Sequence, residues 1–393
     1  MTDFCMTKEQ LKELQSRPFE EKVNISLTRC IDAIKECNGN CYVAFSGGKD
    51  SAVLLSIVSK AWKLCDLITN NKPLNVVFSD TRNEYLSIIK FVPEYCEYIE
   101  RTSGITICLH KTKPMLNDKP TTYIDVCRQI GYPIASKRIS HSVIRLRAQF
   151  KKLGYNRRET KEIINSLDNM TKIEQVNYLR QLGFNNTSVL NLTGITSSGQ
   201  EASVWKISNR WKPLIYAPFK CSDQCCDILK KEPAKNLAKE LGLTLSFTGE
   251  MATDSKQRER EYLVTGCNAF SEGKGKSKPL GFWTEQDILR YHKQYKLPHA
   301  ECYGKLLESK STGILKFSKA QRTGCKLCLF GIQMGDGKNR LIELYESEPK
   351  VVEMALKPIK QGGLGYKDVR DYIVKNCQIE LNLPKEVETN GNT

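Results

Sequence analysis

The chain has 393 residues, of which 40% are hydrophobic and 26% charged, with 14 Pro and 25 Gly. At roughly 100–200 residues per domain, that is room for two domains or one elaborated one, and the composition excludes disordered, collagen-like and fibrous chains. Lys and Arg number 60 against 44 Asp and Glu, a formal net charge of +16 that favours anionic partners. Apolar runs such as Ala52–Val58 fall short of the ~20 residues needed to cross a bilayer. The opening MTDFCMTKEQLKEL lacks the basic start and long apolar core of a signal peptide, so a cytoplasmic protein with no membrane partner is expected. The 16 cysteines, in a large chain without an export signal, read mostly as small buried apolar residues. Any clustered ones become candidates for metal or redox chemistry.

In chain order, residues 7–37 have helical spacing and lead into an apolar strand, Cys41–Phe45. The hexapeptide SGGKDS (Ser46–Ser51) follows, and then the helical run AVLLSIVSKAWKL. A second strand, Leu74–Asp80, a helix from Asn83 to about Ile99 and a third strand, Ile105–His110, continue the alternation. Strands alternating with helices predict an α/β fold, a doubly wound parallel sheet whose ligand-binding loops share the carboxyl edge. Between Lys137 and Lys220 the rhythm stops. That stretch holds 15 Lys/Arg and 5 Asp/Glu, a net +10, with helical spacing over Arg145–Leu153, Thr160–Leu167 and Ile173–Leu182. It reads as a basic helical insertion, either a solvated face or a surface for an anionic macromolecule such as nucleic acid. The βα rhythm returns with a helix to about Leu241 and a strand at Leu243–Thr248. Ser271–Pro279 (SEGKGKSKP) is expected to be a flexible surface connection. Thr284 and Asp287 form a capping box opening the next helix, and the end of the chain, ETNGNT, reads as a frayed tail. The expected divisions are 1–38 (helical), 39–136 (nucleotide-binding core), 137–220 (insertion), 221–335 (core continued, with cysteines) and 336–393 (C-terminal helical region and tail).

SGGKDS, between a strand and a helix, has the makings of an anion cradle. Gly47 and Gly48 allow a tight turn that exposes backbone N–H groups, and these join the positive end of the following helix. Lys49 is expected to add a mobile positive charge, Ser46 and Ser51 to hydrogen-bond phosphate oxygens, and Asp50 to hold Mg²⁺ directly or through water. The spacing is not that of a Walker A loop. Cys225–Cys226 in CSDQCCDILKKEP and Cys325/Cys328 in RTGCKLCLFG form a second constellation. Four thiolates suit tetrahedral Zn²⁺ or a [4Fe–4S] cluster. A doublet, in place of a second C-x-x-C knuckle, tilts the choice to iron–sulfur, with zinc the less favoured occupant.

SGGKDS resembles the PP-loop of the N-type ATP pyrophosphatases, which cleave ATP between its α and β phosphates. The resemblance implies that Ser46 through Ser51 bind phosphates and that Asp80 and Thr81, in FSDTRNEY, lie near the nucleotide. CCDILKKEP, TGEMATDSKQRER and the run from FWTEQDILRYHKQYKLPHAECYG to TGCKLC resemble segments of the phosphoadenosine/adenosine phosphosulfate (PAPS/APS) reductase family, particularly its phage- and mobile-element-type members. The match takes in most of 40–335 apart from the insertion. It implies that Cys225, Cys226, Cys325 and Cys328 ligate one [4Fe–4S] cluster. It further implies that Lys230 stands between cluster and substrate phosphate, and that Ser255 and Arg258 hold an anionic group. Leu229 stands where the reductases usually have Arg.

Two features depart from the reductases. Their C-terminal Glu-Cys-Gly-Leu-His is missing, with only Cys377 in KNCQIEL nearby, and the phosphate loop is intact where theirs is usually degraded. The implied function is ATP-dependent adenylation of an acceptor, with nucleic acid the candidate, followed by sulfur transfer, with Lys49, Asp50, Lys230 and Arg258 as the catalytic set. A sulfur or electron donor protein would be a further partner. The alternatives are a genuine PAPS/APS reductase using Cys377, Cys302 or a partner's thiol, and a non-enzymatic nucleotide- and nucleic-acid-binding module with a structural cluster. His110, His141, His292 and His299 are scattered and read as surface or structural, and Trp283 and Tyr291 as packing residues.

Overall fold

The structure, a computed structural model, describes residues 5–271, 274–333 and 340–384. The chain forms two compact units, Met1–Pro120 with Asp227–Cys325, and Thr121–Cys226 with Lys326–Thr393. The expected tail lies outside the described residues. No helix among those described is long and apolar enough to cross a membrane.

The first unit is built on a six-stranded sheet of β1 (Cys41–Ala44), β2 (Leu74–Ser79), β3 (Ile107–Thr112), β4 (Leu245–Phe247), β5 (Asn268–Ser271) and β6 (Lys274–Ser277), in the order β3-β2-β1-β4-β6-β5. All neighbours are parallel except β5 and β6. Val43 sits in register with Val76 on one side and Phe247 on the other, and all three are buried, as befits strands covered on both faces. The steps from β1 to β2 to β3 run in one direction, so right-handed crossovers put the helices Lys49–Leu64 and Leu86–Ser103 on one face, where they pack together. β4 lies on the other side of β1, which puts its preceding helix, Glu232–Glu240, on the opposite face against β2 and β3. The fold is the expected doubly wound α/β sheet.

Two local expectations fail. The helical spacing of 7–37 is two helices, Lys8–Ser16 and Phe19–Glu36. Pro18 drives Arg17 into the extended region, with ψ 151°, which ends the first helix. Ser271–Pro279 is not a loose connection, because its described part includes β6 in the sheet, with Ser277 and Lys278 buried. Lysines and glycine are poor strand formers, but tertiary partners override that propensity here. Lys276 pairs with Glu250 at 2.7 Å and Glu261 at 3.3 Å, and Lys278 reaches Glu261 at 3.3 Å and Thr265 at 2.9 Å. Gly275 lies where a Cβ would be 3.0 Å from both Leu245 and Phe270.

The second unit is helical. Lys137–Lys152, Arg157–Ser166, Lys172–Gln181 and Asn186–Thr193 each start on a side-chain cap, from Ser136, Asn156, Thr171 and Asn185 respectively. Their apolar faces bury Val143, Leu146, Phe150, Ile164, Leu179 and Leu192. The C-terminal helix Tyr366–Cys377 packs on the turn Asn209–Tyr216, with the Tyr372 hydroxyl donating to the Pro213 carbonyl at 2.8 Å. Several of the basic residues are structural. Arg147 directs its guanidinium at the carbonyls of Leu214, Phe219 and Ala217, Arg157 donates to Tyr216 O at 2.6 Å, and Lys212 pairs with Asp168 at 3.3 Å. Arg145, Lys151, Lys152, Lys161 and Arg180 are exposed.

Candidate functional site

The phosphate loop occupies the junction between β1 and the helix Lys49–Leu64, as expected from its sequence. Gly47 adopts φ +71°, and a Cβ there would lie 2.8 Å from the Ile88 side chain and 2.9 Å from that of Val92. Gly47→Ala is therefore expected to cost about 2–4 kcal/mol, combining the left-handed backbone penalty with overpacking, as read from urea unfolding. The loop is closed by its serines. Ser51 donates to the Gly48 carbonyl at 2.9 Å and lies 3.0 Å from the Ser46 hydroxyl, while the Ser46 amide donates to Ser51 Oγ at 3.3 Å.

Two parts of the loop differ from expectation. The Lys49 amide is already donated to the Tyr303 hydroxyl at 3.0 Å, which in turn lies 2.6 Å from Thr323 Oγ1. The Lys49 side chain is not a mobile charge. It is 3% exposed, with its ammonium 3.0 Å from Asp50 and 3.5 Å from Glu285. Burial raises the pKa of Asp50, and the charge of Lys49 opposes the rise.

The loop opens on a cleft of about 290 Å³ at the carboxyl edge of β1 and β4, whose lining includes Ser46, Gly48, Asp50, Ser51, Asp254 and Arg258. Gly249, just past β4, approaches so closely that a Cβ would be 3.3 Å from the Asp50 backbone. Arg258 pairs with Asp254, and Arg322 reaches the other carboxylate oxygen of Asp254 at 3.3 Å. One nearly buried carboxylate, itself accepting from the Met251 amide at 3.1 Å, thus positions two guanidinium groups over the phosphate loop. Ser255 caps the helix Lys256–Thr265 by accepting from the Arg258 amide at 3.2 Å, so its hydroxyl helps set where Arg258 starts from.

Asp80 and Thr81 are not among the cleft-lining residues. Thr81 is fully buried and donates to Glu84 at 2.8 Å, while Asp80 accepts from the Arg82 amide at 3.0 Å. The same Glu84 carboxylate reaches the Lys230 ammonium at 3.3 Å. Burial pulls the pKa of Lys230 down, but the neighbouring Cys325 sulfur and Glu84 more than reverse this, so the lysine is held charged beside Cys325. Sequence reasoning found Lys230, Arg258 and the loop. It missed Glu84, Asp254, Tyr303, Arg322 and Thr323. Two of these had a signal: Asp254 stands four residues before Arg258 at ion-pair helical spacing, and Arg322 opens the RTGCKLC run.

Cys225 is buried, and Cys226, Cys325 and Cys328 are half-buried. Within the second unit, Tyr123 and Tyr366 donate at 2.7 and 2.6 Å to the carbonyl of Leu327, between the cysteines of C-x-x-C, and lie 2.6 Å from each other. The Tyr366 phenol is pushed well up, first by burial and then by Cys127, with Cys328 and Cys225 adding to it. Arg340 donates to the Cys328 carbonyl at 3.2 Å. Among the described residues no group of three or more His, Cys, Asp or Glu is arranged as a metal site. Cysteine sulfurs are soft donors of the kind that zinc and iron–sulfur groups take, and within the first unit the Lys230 cation lies against Cys325.

The histidines are structural or local. His292 is buried and lies 3.0 Å from the Lys49 carbonyl, His299 lies 2.8 Å from the Gly304 carbonyl, His110 pairs with Asn75, and His141 pairs with Asp223. Burial lowers the pKa of His292 to about 4. Since the unfolded chain protonates His292 near its ordinary value of 6.5, its neutral form stabilises the fold above that pH. That stability is lost as pH falls towards 4, by on the order of 3 kcal/mol. Urea unfolding at pH 7 and pH 5 should show the loss, and His292→Asn should flatten this part of the pH dependence. Trp283 and Tyr291 are wholly buried and pack, as expected.

Comparison with curated proteins gives no match. The crystal structure of phosphoadenylyl-sulfate (PAPS) reductase from Candida auris, a phosphate complex, is similar over 76% of this chain and 92% of that chain, at 15% identity and a TM-score of 0.33. The family model for the phosphoadenosine phosphosulfate reductase domain matches residues 150–328. That span starts after the phosphate loop and includes much of the basic insertion, which the sequence reading had set outside the resemblance. It contains Lys230, Ser255, Arg258 and all four of the cysteines, so over that span the chain is similar to the phosphoadenosine phosphosulfate reductase domain.

Proposed function

We propose that this protein is an ATP-using enzyme of sulfur chemistry, which adenylates an acceptor and then exchanges the activated oxygen for sulfur. The observation that carries the reading is the cleft itself, in which an intact phosphate loop faces two guanidinium groups held by one carboxylate. Ser46, Gly47, Gly48 and Ser51 would bind the β and γ phosphates, and Arg258 and Arg322 the developing charge at the α-phosphate and on the leaving group. Asp50 faces the same cleft, so a polyphosphate enters most favourably with Mg²⁺ between them, and Asp50 would hold that ion. Lys49 acts through Asp50, keeping its carboxylate in place. In the first step an acceptor oxygen attacks the α-phosphorus, the bond to the bridging oxygen breaks, and pyrophosphate leaves. In the second, hydrosulfide attacks the adenylated carbon and expels AMP.

Cys225, Cys226, Cys325 and Cys328 would hold a [4Fe–4S] cluster, with zinc the less favoured occupant. When bound, the cluster supplies a coordination site for a sulfur anion. Lys230, fixed by Glu84, keeps a positive charge at Cys325. A nucleic acid is the proposed acceptor, on the exposed Arg145, Lys151, Lys152, Lys161 and Arg180, and a donor protein the proposed sulfur source. Of the thiols the reductase alternative could use, Cys377 is unsuited to the role. It is fully buried, and burial raises its thiol to about 12, the reverse of what a nucleophile needs.

The anaerobically purified protein should contain iron and sulfide, and should form pyrophosphate from ATP when RNA is supplied. Cys226→Ala should lose the metal and keep ATP binding, and Lys49→Ala the reverse. Sulfite release from PAPS without ATP cleavage would overturn the proposal in favour of the reductase. Nucleotide binding without turnover of either compound would leave only a binding module.

A further inference from the structure

Three of the four tryptophans, Trp62, Trp211 and Trp283, are buried, whereas Trp205 is 53% exposed beside Val204 at 74%. Trp205 lies in the second unit, in a segment whose backbone is fixed along its length. Ile195 and Glu201 form an antiparallel bridge, and the Thr196 amide donates to the Gln200 carbonyl at 2.9 Å. The short turn Ser203–Trp205 follows, with the Trp205 amide donating to the Ala202 carbonyl at 3.0 Å. It is tied down on both sides, by Ala202 N to Gly194 O at 2.7 Å and Ile207 N to Asn191 O at 2.8 Å. Cations gather around this segment. Lys172 pairs with Glu201 at 2.5 Å, Arg180 reaches the Ser197 carbonyl at 3.5 Å, and Arg138 the Lys206 carbonyl at 3.4 Å. Lys206 packs against Gly194, where a Cβ would lie 3.3 Å from its own Cβ. Burial lowers the pKa of Lys206, and the charges of Lys212 and Lys172 add to the fall. In these contacts the cations outnumber the carboxylates, Glu201 and Asp168.

We propose that Trp205 is a stacking platform for an unpaired base, so that the nucleic acid held by the second unit is single-stranded where it crosses this segment. The inference rests on the reading of a nucleic acid as the acceptor, and it names the form that acceptor takes. The surplus of positive charge selects an anionic partner. The indole narrows the choice, because a single strand offers phosphates to the cations and a free base face to the ring. In a duplex both faces of each base are already covered by their neighbours, so the ring has nothing to stack on. Lysines and arginines alone would hold duplex and single strand alike through their phosphates. The fixed backbone of residues 194–207 matters here, since a ring already held in place loses little further freedom when a base stacks on it.

The test follows the tryptophan emission of the full chain as oligouridylate is added without ATP, with affinity read from the anisotropy of a labelled strand. Because the other three indoles are buried, the solvent-exposed component of the emission belongs to Trp205. Oligouridylate should quench that component, and the same strand annealed to oligoadenylate should quench it far less. Trp205→Leu should abolish the quench and weaken oligouridylate binding by about 5- to 150-fold. Its slope of log affinity against log salt should stay unchanged, because the phosphate contacts remain. Trp205→Phe should keep most of the affinity, since a ring is still there to stack. Equal binding of duplex and single strand, or Trp205→Leu binding as tightly as the unmodified chain, would overturn the proposal. So would an emission that responds to phosphatidylserine vesicles and not to oligouridylate. Pyrophosphate formed from ATP and RNA with no change at Trp205 would overturn this inference and leave the adenylation reading standing. Quenching with no pyrophosphate would do the opposite.

Discussion

Arg258→Ala should weaken ATP binding by about 10- to 100-fold while leaving the protein folded and its metal content unchanged. A charge-assisted hydrogen bond to phosphate contributes roughly 1.5–3 kcal/mol, and each 1.4 kcal/mol is about tenfold in affinity. The ion pair that Arg258 makes with Asp254 is half-exposed on the arginine side, so its loss should cost about 1 kcal/mol of stability or less. The cost therefore appears in binding and hardly in unfolding, which separates a cleft residue from a structural one. Asp254→Ala should reach a similar affinity loss by another route. It keeps both guanidinium groups but frees them from the carboxylate that holds them over the loop. Isothermal titration with ATP on each variant checks both, and a salt-dependent loss that vanishes in the Arg258→Ala, Arg322→Ala double variant would show that the two arginines act on the same phosphates.

The largest stability effect is expected at Lys22, which does not line the cleft. Its ammonium lies 3.0 and 2.9 Å from the two oxygens of Asp287, with both side chains under a tenth exposed. The pair ties the helix Phe19–Glu36 to the start of Glu285–Gln294, where Asp287 also accepts from the amide and hydroxyl of Thr284 at 2.8 Å. Lys22→Ala would strand a buried carboxylate, at a cost of about 3–5 kcal/mol. Against a total stability of ~5–15 kcal/mol, urea unfolding would register this as the loss of a large part of the whole. Lys22→Ala with Asp287→Asn should recover part of it, since the amide can still accept from Thr284 without a buried charge.

The sheet and its flanking helices were legible because hydrophobic strands and helices alternate and because glycines and an N-terminal helix start mark the phosphate loop. The capping box at Thr284 and Asp287 was read from spacing alone and is present. What the sequence hid was tertiary. The lysine-rich stretch after Ser271 became a strand because Glu250 and Glu261 wait for Lys276 and Lys278, and no local pattern announces carboxylates more than ten residues away. The net positive charge of the insertion overstated its free surface, because Arg147, Arg157 and Lys212 are used internally. At the cleft, the identity of Lys49 suggested a reaching cation, but its burial between Asp50 and Glu285 makes it a support for Asp50. Tyr303 arrives from beyond residue 300, where nothing in its own neighbourhood points at residues 46–51. The role of Glu84 is similar: a residue read as the start of a helix is the anchor for Lys230.

The most direct test of the account is a crystal structure of the anaerobically purified protein with Mg²⁺ and a non-hydrolysable ATP analogue. The triphosphate should lie over Ser46–Ser51 with the guanidinium groups of Arg258 and Arg322 turned onto it and the ion beside Asp50. A triphosphate bound elsewhere, with Arg258 and Arg322 still on Asp254 and the loop untouched, would contradict it.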